Sequence, residues 1–501
     1  MNNLFKIVKE SGINFSGLII GMILNYVLLI IITRFLAPEE YGIFVLAQSV
    51  INVSLIFVLL GTHKALDRFI PYYNAMGELG KSKTLISNVL KITLTLSVII
   101  GTIFFLSSEL IGNYFFKEPR LSPVLKIMVL SIPFLTFSQI ISFIFIGYKE
   151  LRFQVYIQQF ARNMLKIFLG TVIFLMGYKL IGWTWMYIFS LIGATLLAYY
   201  FFKKKILSSL SKVKKVPLSF KEIISYSWPL IINNIILLFL GQIGLLFLGY
   251  FRSPSEVGIY RIYIYLIIIL AFVLQSFAQI YKPVISGLIA KNNVKEVKET
   301  YKRISKWIFL INGLGLLIIL IFGQDIIRIL FTKDYLLAPL ALFILAIGRF
   351  LNSSFGPEGM TLEAFGNTKL LMLNSLIMLG INLGLNYLLI PKYGIVGASI
   401  ATASSITIGG LAGLIEIYFL YRMQPFSLKH IKYICIGLIS GAILYFIAKK
   451  FTLNVIGLMG LIILLIGMYI SGIYYSHSFD NLDYQIFRKV KAKFVNLRSL
   501  K

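Results

Sequence analysis

The chain has a single cysteine, Cys435, in 501 residues. One thiol cannot close an internal disulfide or build a cysteine-ligated metal centre. Histidine is almost as scarce: His63, His430 and His477 stand far apart in the sequence, which argues against a zinc site. Charged residues make up only 13%, against about 25% in an average soluble domain. That is too little to coat the roughly three soluble domains suggested by the length. Acidic residues are the scarcer sign, with 19 Asp and Glu against 48 Lys and Arg, a net charge of +29. The five aspartates include no Asp-x-Asp pair. No phosphate-binding Gly-rich loop, nucleophile elbow or metal-ligand cluster occurs, so no cofactor or metal is expected. A basic chain can bind nucleic acid, but that needs a solvated basic face on a soluble body, and this composition offers none.

What the sequence does have is apolar runs. At about 20 residues per bilayer crossing, it divides into fourteen expected spans: 12–33, 43–63, 85–107, 121–147, 155–176, 180–202, 224–249, 258–280, 304–323, 335–365, 368–390, 395–420, 429–448 and 454–475. Lys6 and Lys9 precede the first run as in a signal peptide, but that run is too long and no small-residue cleavage site follows, so it reads as an uncleaved span. With the N-terminus inside, 33 of the 48 basic residues fall to the inside and ten to the outside. The largest inside sets are seven from Lys203 to Lys221, seven from Lys282 to Lys306 and six from Arg488 to Lys501. This asymmetry predicts both termini in the cytoplasm, and hence an even number of spans.

The two halves of the chain resemble each other. Leu36-Ala-Pro38-Glu-Glu-Tyr-Gly42 follows the first span, and Arg252-Ser-Pro254-Ser-Glu-Val-Gly258 follows the seventh, 216 positions later. Phe5-Lys6 matches Phe220-Lys221, and Gly177-Tyr-Lys-Leu-Ile-Gly182 resembles Lys392-Tyr-Gly-Ile-Val-Gly397, at nearly the same offset. Three matches at one offset predict two copies of a six-span unit. Six is even, so both copies enter the membrane in the same direction, the parallel repeat of many secondary transporters. The expected organisation is an all-α integral membrane protein. It has an N-terminal lobe over 1–215, a C-terminal lobe over 216–424, an extra helix pair over 425–476 and a basic cytoplasmic tail over 477–501.

Three segments carry a family resemblance. They are Thr33-Arg-Phe-Leu-Ala-Pro-Glu-Glu-Tyr-Gly-Ile43, Gly61 through Asp67-Arg68-Phe-Ile-Pro71 with Gly77, and Gly394-Ile-Val-Gly-Ala-Ser-Ile400. With these, the sequence resembles the polysaccharide and O-antigen flippases of the multidrug/oligosaccharidyl-lipid/polysaccharide exporter superfamily. The resemblance implies two six-helix lobes facing a central cavity, alternating access, and a lipid-diphosphate-linked oligosaccharide as cargo in the cytoplasmic membrane. It also implies membrane lipids as surroundings, with glycan polymerases and glycosyltransferases as candidate partners of a monomer.

A diphosphate needs fixed cations, and a charge placed within a span costs about 2.5–3.5 kcal/mol, so it tends to face a cavity. Arg162 and Lys166 stand i, i+4 on the fifth span and share one helix face. Arg349 lies mid-way along the tenth span, just before Gly356-Pro-Glu-Gly359, a sequence that should break the helix. These three are the expected cationic lining. Arg34 and Arg261 near outer span ends, and Lys64 and Arg68 near the inner end of the second span, are further candidates that also suit interface anchors. Lys126 is weaker still. Asp67, Glu358, Glu363 and Glu416 are candidates for ion coupling, although Glu358 and Glu363 sit where water can solvate them and Glu416 can pair with Arg422. Trp183, Trp185 and Tyr187 suit an interfacial belt.

Two other functions compete with a glycan-precursor flippase. A drug/cation antiporter should present acids, not bases, in its deep spans. A membrane-embedded glycan-assembly enzyme should carry catalytic acids on sizeable outer loops, and the outer loops here are short.

Overall fold

The computed structural model is all-helical, with no strand among the described residues. It describes the backbone of residues 2–218, 220–450 and 454–476, and the side chains of 16–62, 65–218, 231–278, 281–450 and 454–476. The N-terminal half contains α1 (Asn2–Phe35), α2 (Pro38–Leu59), α3 (Thr62–Ala75), α4 (Leu79–Leu106), α5 (Leu121–Val129), α6 (Ser131–Gly147), α7 (Leu151–Gln154), α8 (Arg162–Leu175), α9 (Leu180–Phe202) and α10 (Ser208–Leu210). The C-terminal half contains α11 (Phe220–Phe251), α12 (Pro254–Ala290), α13 (Val294–Leu330), α14 (Pro339–Ser354), α15 (Glu358–Ala364) and α16 (Thr368–Tyr421). A last pair, α17 (Lys429–Ala448) and α18 (Val455–Tyr475), follows.

Among the described residues, eleven helical stretches are long and apolar enough to cross a bilayer, α14 with α15 and α9 through α10 each counting as one, and a twelfth crossing comes from α5 and α6 together, bent by 44°. The fourteen expected spans therefore do not each correspond to one such helix. Two expected spans share the 54-residue α16, where Gly394 adopts φ 53° and ψ −127° and breaks the helical path. At 1.5 Å per residue, a straight helix of that length would be about 80 Å long, far more than a bilayer core. The fifth expected span is divided between the π-helical turn Val155–Ala161 and α8. The second span starts and ends earlier than expected, at Pro38 and Leu59. Left-handed Leu60 and Gly61 end α2 and turn the chain into the separate, amphipathic α3. Large apolar side chains such as Leu106, Leu175 and Ile456 are more than 70% exposed. Bare in water this would be an aggregating surface; against acyl chains it is the solvated one. The protein is a multi-pass membrane protein.

The two Pro-x-x-x-Gly segments each start a helix. Pro38 opens α2 and Pro254 opens α12, each with glutamate in the first turn, where the helix dipole favours an anion. Ser253 adds a side-chain cap, its Oγ accepting from Glu256 N at 3.4 Å. These helix starts then pack on each other reciprocally. Gly42 lies against the backbone carbonyl of Pro254 and the amide of Gly258, and Gly258 lies against the carbonyl of Pro38 and the amide of Gly42. Only a residue without Cβ allows two backbones so close. Nearby, Tyr335 Oη donates to Leu36 O at 2.9 Å, and Arg34 Nη2 donates to Ile329 O at 2.6 Å. Glu256 Oε2 accepts from Ile395 N at 3.1 Å, next to the Gly394 break.

The largest apolar core runs through this region and contains residues of both halves, including Leu36, Ile43, Leu46, Val257, Tyr263 and Ala398. The helix pair packs separately on α13, through Phe309, Tyr433 and Tyr469 in one cluster and Phe322, Leu444 and Leu465 in another.

Candidate functional site

The π-helical turn Val155–Ala161 runs directly into Arg162. Such turns shift the register of a helix face and recur at functional sites. One helical turn later comes Lys166, and both cations reach the same ring on α9. Arg162 Nη2 donates to Tyr187 Oη at 3.3 Å, and Lys166 Nζ stands 5.1 Å from the Tyr187 ring centroid. Across the boundary between the halves, Arg261 of α12 lies 4.9 Å from the centroid of Tyr265, one turn on, and donates to its hydroxyl at 3.5 Å. Arg261 is also within electrostatic reach of Tyr41 and Tyr187. Tyr26 of α1 closes the group by donating to Tyr265 O at 2.7 Å. Arg162 and Lys166 on Tyr187, and Arg261 on Tyr265, thus stand on either side of the boundary, with Tyr41 and Tyr187 within electrostatic reach of Arg261.

The electrostatics of this cluster are one-sided. Lys166 is only 9% exposed, and Arg162 and Arg261 are partly buried. None of the three forms an ion pair among the described residues, whose pairs lie elsewhere. The Nε of Arg162 and of Arg261 is buried without a hydrogen-bond partner. Tyrosine faces offset part of the desolvation cost, by roughly 0.5–2 kcal/mol each, but they leave the net charge in place. Neighbouring like charges at low dielectric favour an anion between them.

Arg349 lies elsewhere. It lines a cavity of about 480 Å³ among α11, α12, α14, α15 and α16, with Asn352, Glu358, Asn374 and Ser375. All the lining residues of this cavity belong to the C-terminal half. Arg349 Nε is likewise buried and unpartnered. Gly356, with φ 85°, and Pro357 separate α14 from α15, as the Gly-Pro-Glu-Gly sequence predicts. The break turns Glu358 into the same cavity, where it makes no ion pair among the described residues.

The other expected residues are occupied in simpler ways. Arg34 is exposed and holds the carbonyls of Ile329 and Leu330, so it ties α1 to the end of α13. Lys126 pairs with Glu109 at 2.5 Å, and that contact holds the exposed Glu109 carboxyl below its ordinary range. Glu363 binds Lys282 at 2.8 Å. Glu416 does not pair with Arg422: it accepts from Asn374 at 2.8 Å, while left-handed Arg422 caps α16 and lies over Tyr418. Arg68 is exposed and 5.5 Å from the Phe69 ring. Asp67 is partly buried beside it, and the side chain of Lys64 lies outside the described residues. Trp183 and Tyr187 are buried at 1% and 4% exposure rather than forming an interfacial belt; Trp185 remains exposed. The sequence reading missed the tyrosines. The Arg261–Tyr265 spacing of one helical turn was the available signal, whereas the approach of Tyr26, Tyr41 and Tyr187 requires the fold.

An all-helical membrane body in two packed halves, with unneutralised cations on their shared boundary, defines the class: a helical membrane transporter. A family model described as polysaccharide biosynthesis protein matches residues 7–289, and one described as MatE matches 229–388. The chain belongs to the polysaccharide biosynthesis protein family, the polysaccharide-flippase branch of the multidrug/oligosaccharidyl-lipid/polysaccharide superfamily. It is 23% identical to the uncharacterized membrane protein MJ1068 of Methanocaldococcus jannaschii, over 94% of this chain and 95% of that one. It is 28% identical to the probable low-salt glycan biosynthesis flippase Agl15 of Haloferax volcanii, over 43% of this chain and 47% of that protein. Its fold matches that of a lipid II flippase MurJ in an inward closed conformation, with a TM-score of 0.72 at 18% identity, covering 92% of this chain and 99% of that structure.

Proposed function

We propose that the protein flips a lipid-diphosphate-linked oligosaccharide across the cytoplasmic membrane for surface glycan assembly, with Arg162, Lys166 and Arg261 holding the diphosphate between the halves. The observation that carries this reading is the set of buried guanidinium Nε atoms and cations without carboxylate partners at that boundary. A small-cation antiporter would need the opposite sign there, and a glycan-assembly enzyme would need catalytic acids beside these cations, which form no ion pair among the described residues. Arg349 extends the cationic path into the C-terminal half. The reciprocal Gly42–Gly258 contact supports two six-span lobes related by an axis along the membrane normal. Both termini are cytoplasmic in this reading, in keeping with the placement of basic residues, and the chain acts as a monomer without a cofactor. Deleting the protein in its native cell tests the assignment. Full-length lipid-linked glycan should accumulate on the cytoplasmic face; normal export with altered drug tolerance would replace the flippase by an antiporter.

Glu358 supports a coupling role for the cavity in the C-terminal half. Its carboxylate opens into that space beside Asn374 and Ser375, whose amide and hydroxyl groups could share a cation or proton with it. Substituting Glu358→Gln keeps the shape and removes the charge. Transport by the variant in vesicles should lose its dependence on an imposed proton or sodium gradient. An unchanged gradient response would exclude Glu358 as the coupling group.

A further inference from the structure

A second basic cavity, of about 290 Å³, lies at the seam between α13 and α17, remote in sequence from the cations between the halves. Among the described residues its walls carry four cations, Lys302, Arg303, Lys306 and Lys429, with His430 and one carboxylate, Glu299. The spacing explains the grouping, because 299, 302, 303 and 306 recur at three- and four-residue steps and so share one face of α13. The 422–428 connection folds over the cavity, fixed by Ser427 N donating to His430 Nδ1 at 3.0 Å. His430 itself is wedged edge-on against Phe309 at 4.8 Å. Lys306 is only 7% exposed although it lines the cavity.

We propose that this cavity binds the phosphate of an anionic bilayer lipid, with the acyl chains lying outside along α17. Three observations converge on that ligand. The first is charge: four cations to one carboxylate favour a phosphate, and Arg303 can hold two of its oxygens at once. Depth is the second, because the cavity sits where α13 changes from the polar run 294–306 to the apolar run that begins at Trp307. A tryptophan followed by apolar residues marks headgroup level, and basic pockets between helices at that level hold anionic headgroups. The third is the flank: Leu428 and Ile431, on either side of the Lys429–His430 wall, are 85% and 59% exposed. A headgroup in the cavity would therefore have its chains against apolar side chains. The occupant is a lipid of the surrounding membrane rather than the transported one, because the seam joins the C-terminal half to the helix pair and contains no residue of the N-terminal half. Bound there, the lipid would fasten α17 to α13.

The site can be tested without transport, so it stands apart from the flippase reading. The purified full-length protein is titrated with phosphatidylglycerol or phosphatidylcholine, and bound lipid is counted by native mass spectrometry. Phosphatidylglycerol should be retained in preference. The double substitution Lys302→Gln with Arg303→Gln should weaken it by about fivefold per cation, or roughly 25-fold together, at about 1 kcal/mol per charge. Glu299→Gln should tighten it severalfold, a gain that misfolding cannot produce. Equal retention of both lipids, or of phosphatidylglycerol by parent and double variant, would overturn the proposal. So would displacement of phosphatidylglycerol by an equimolar polyprenyl diphosphate, which would make the seam a cargo site.

Discussion

Replacing Arg261 by alanine should lower transport per inserted molecule by about 10- to 100-fold, with Arg162→Ala behaving alike. The range follows from a hydrogen bond to a charged group, worth about 1.5–3 kcal/mol net, at about 1.4 kcal/mol per factor of ten. The two arginines come from opposite halves, Arg162 bonded to Tyr187 and Arg261 within electrostatic reach of the same side chain, so each is expected to contact the anion while the other is present. Arg261→Lys separates two modes of action. If only charge is needed, lysine should restore most of the rate. If the guanidinium clamps two phosphate oxygens, lysine should fail nearly as badly as alanine. Tyr187→Phe is the milder companion, keeping the ring over Lys166 and removing only the hydroxyl that Arg162 touches. Rates must be divided by the amount of inserted protein, because a purely structural role predicts lower abundance with a normal rate per molecule. Unchanged rates for alanine at Arg162, Lys166 and Arg261 would remove the boundary cations from the mechanism and leave the family assignment intact.

Gly42→Ala should disable the protein by another route. The new Cβ would overlap the backbone carbonyl of Pro254, and Gly258→Ala would do the same to the carbonyl of Pro38. Neither obstacle is a flexible side chain, so relief requires α2 and α12 to separate where they begin. Overpacking of this kind costs about 1–3 kcal/mol. If this contact forms and parts during the cycle, the closed arrangement at that end should lose about 5- to 150-fold in population. Spin labels at Ala37→Cys and Ser255→Cys, in a Cys435→Ser background, should report a longer and broader distance in the alanine variant. A reduced yield with an unaltered distance would mean that the glycines serve folding alone. Transport should fall as the distance lengthens for either glycine, since the two contacts are reciprocal.

Much of this protein was legible before any coordinates. Scarce charge and recurrent apolar runs dictate helices that cross a bilayer, because unpaired backbone groups are too costly in hydrocarbon. The two Pro-x-x-x-Gly segments mark helix starts, since proline suits the first turn of a helix and cannot lie within it unpunished. Gly356-Pro357 marks the α14–α15 break for the same local reason. Arg162 and Lys166 share a face because helical spacing alone requires it.

Tertiary structure decided the partners. The helical register places Arg349 at mid-span but says nothing of which neighbours surround it, and packing put it in a cavity of the C-terminal half, apart from Arg162 and Lys166. Arg261 suited an end anchor as well as a cargo contact by position, and packing sets it over Tyr265 of its own helix, within electrostatic reach of Tyr41 and Tyr187 of the other half. Glu416 and Arg422 are near enough in sequence to suggest a pair, but six positions along one helix put them on different faces, and Asn374 takes the carboxylate. Local periodicity fixes the direction in which a side chain leaves its own helix. What it meets depends on contacts between residues hundreds of positions apart, such as Gly42 with Gly258, and those exist only once the helices have packed.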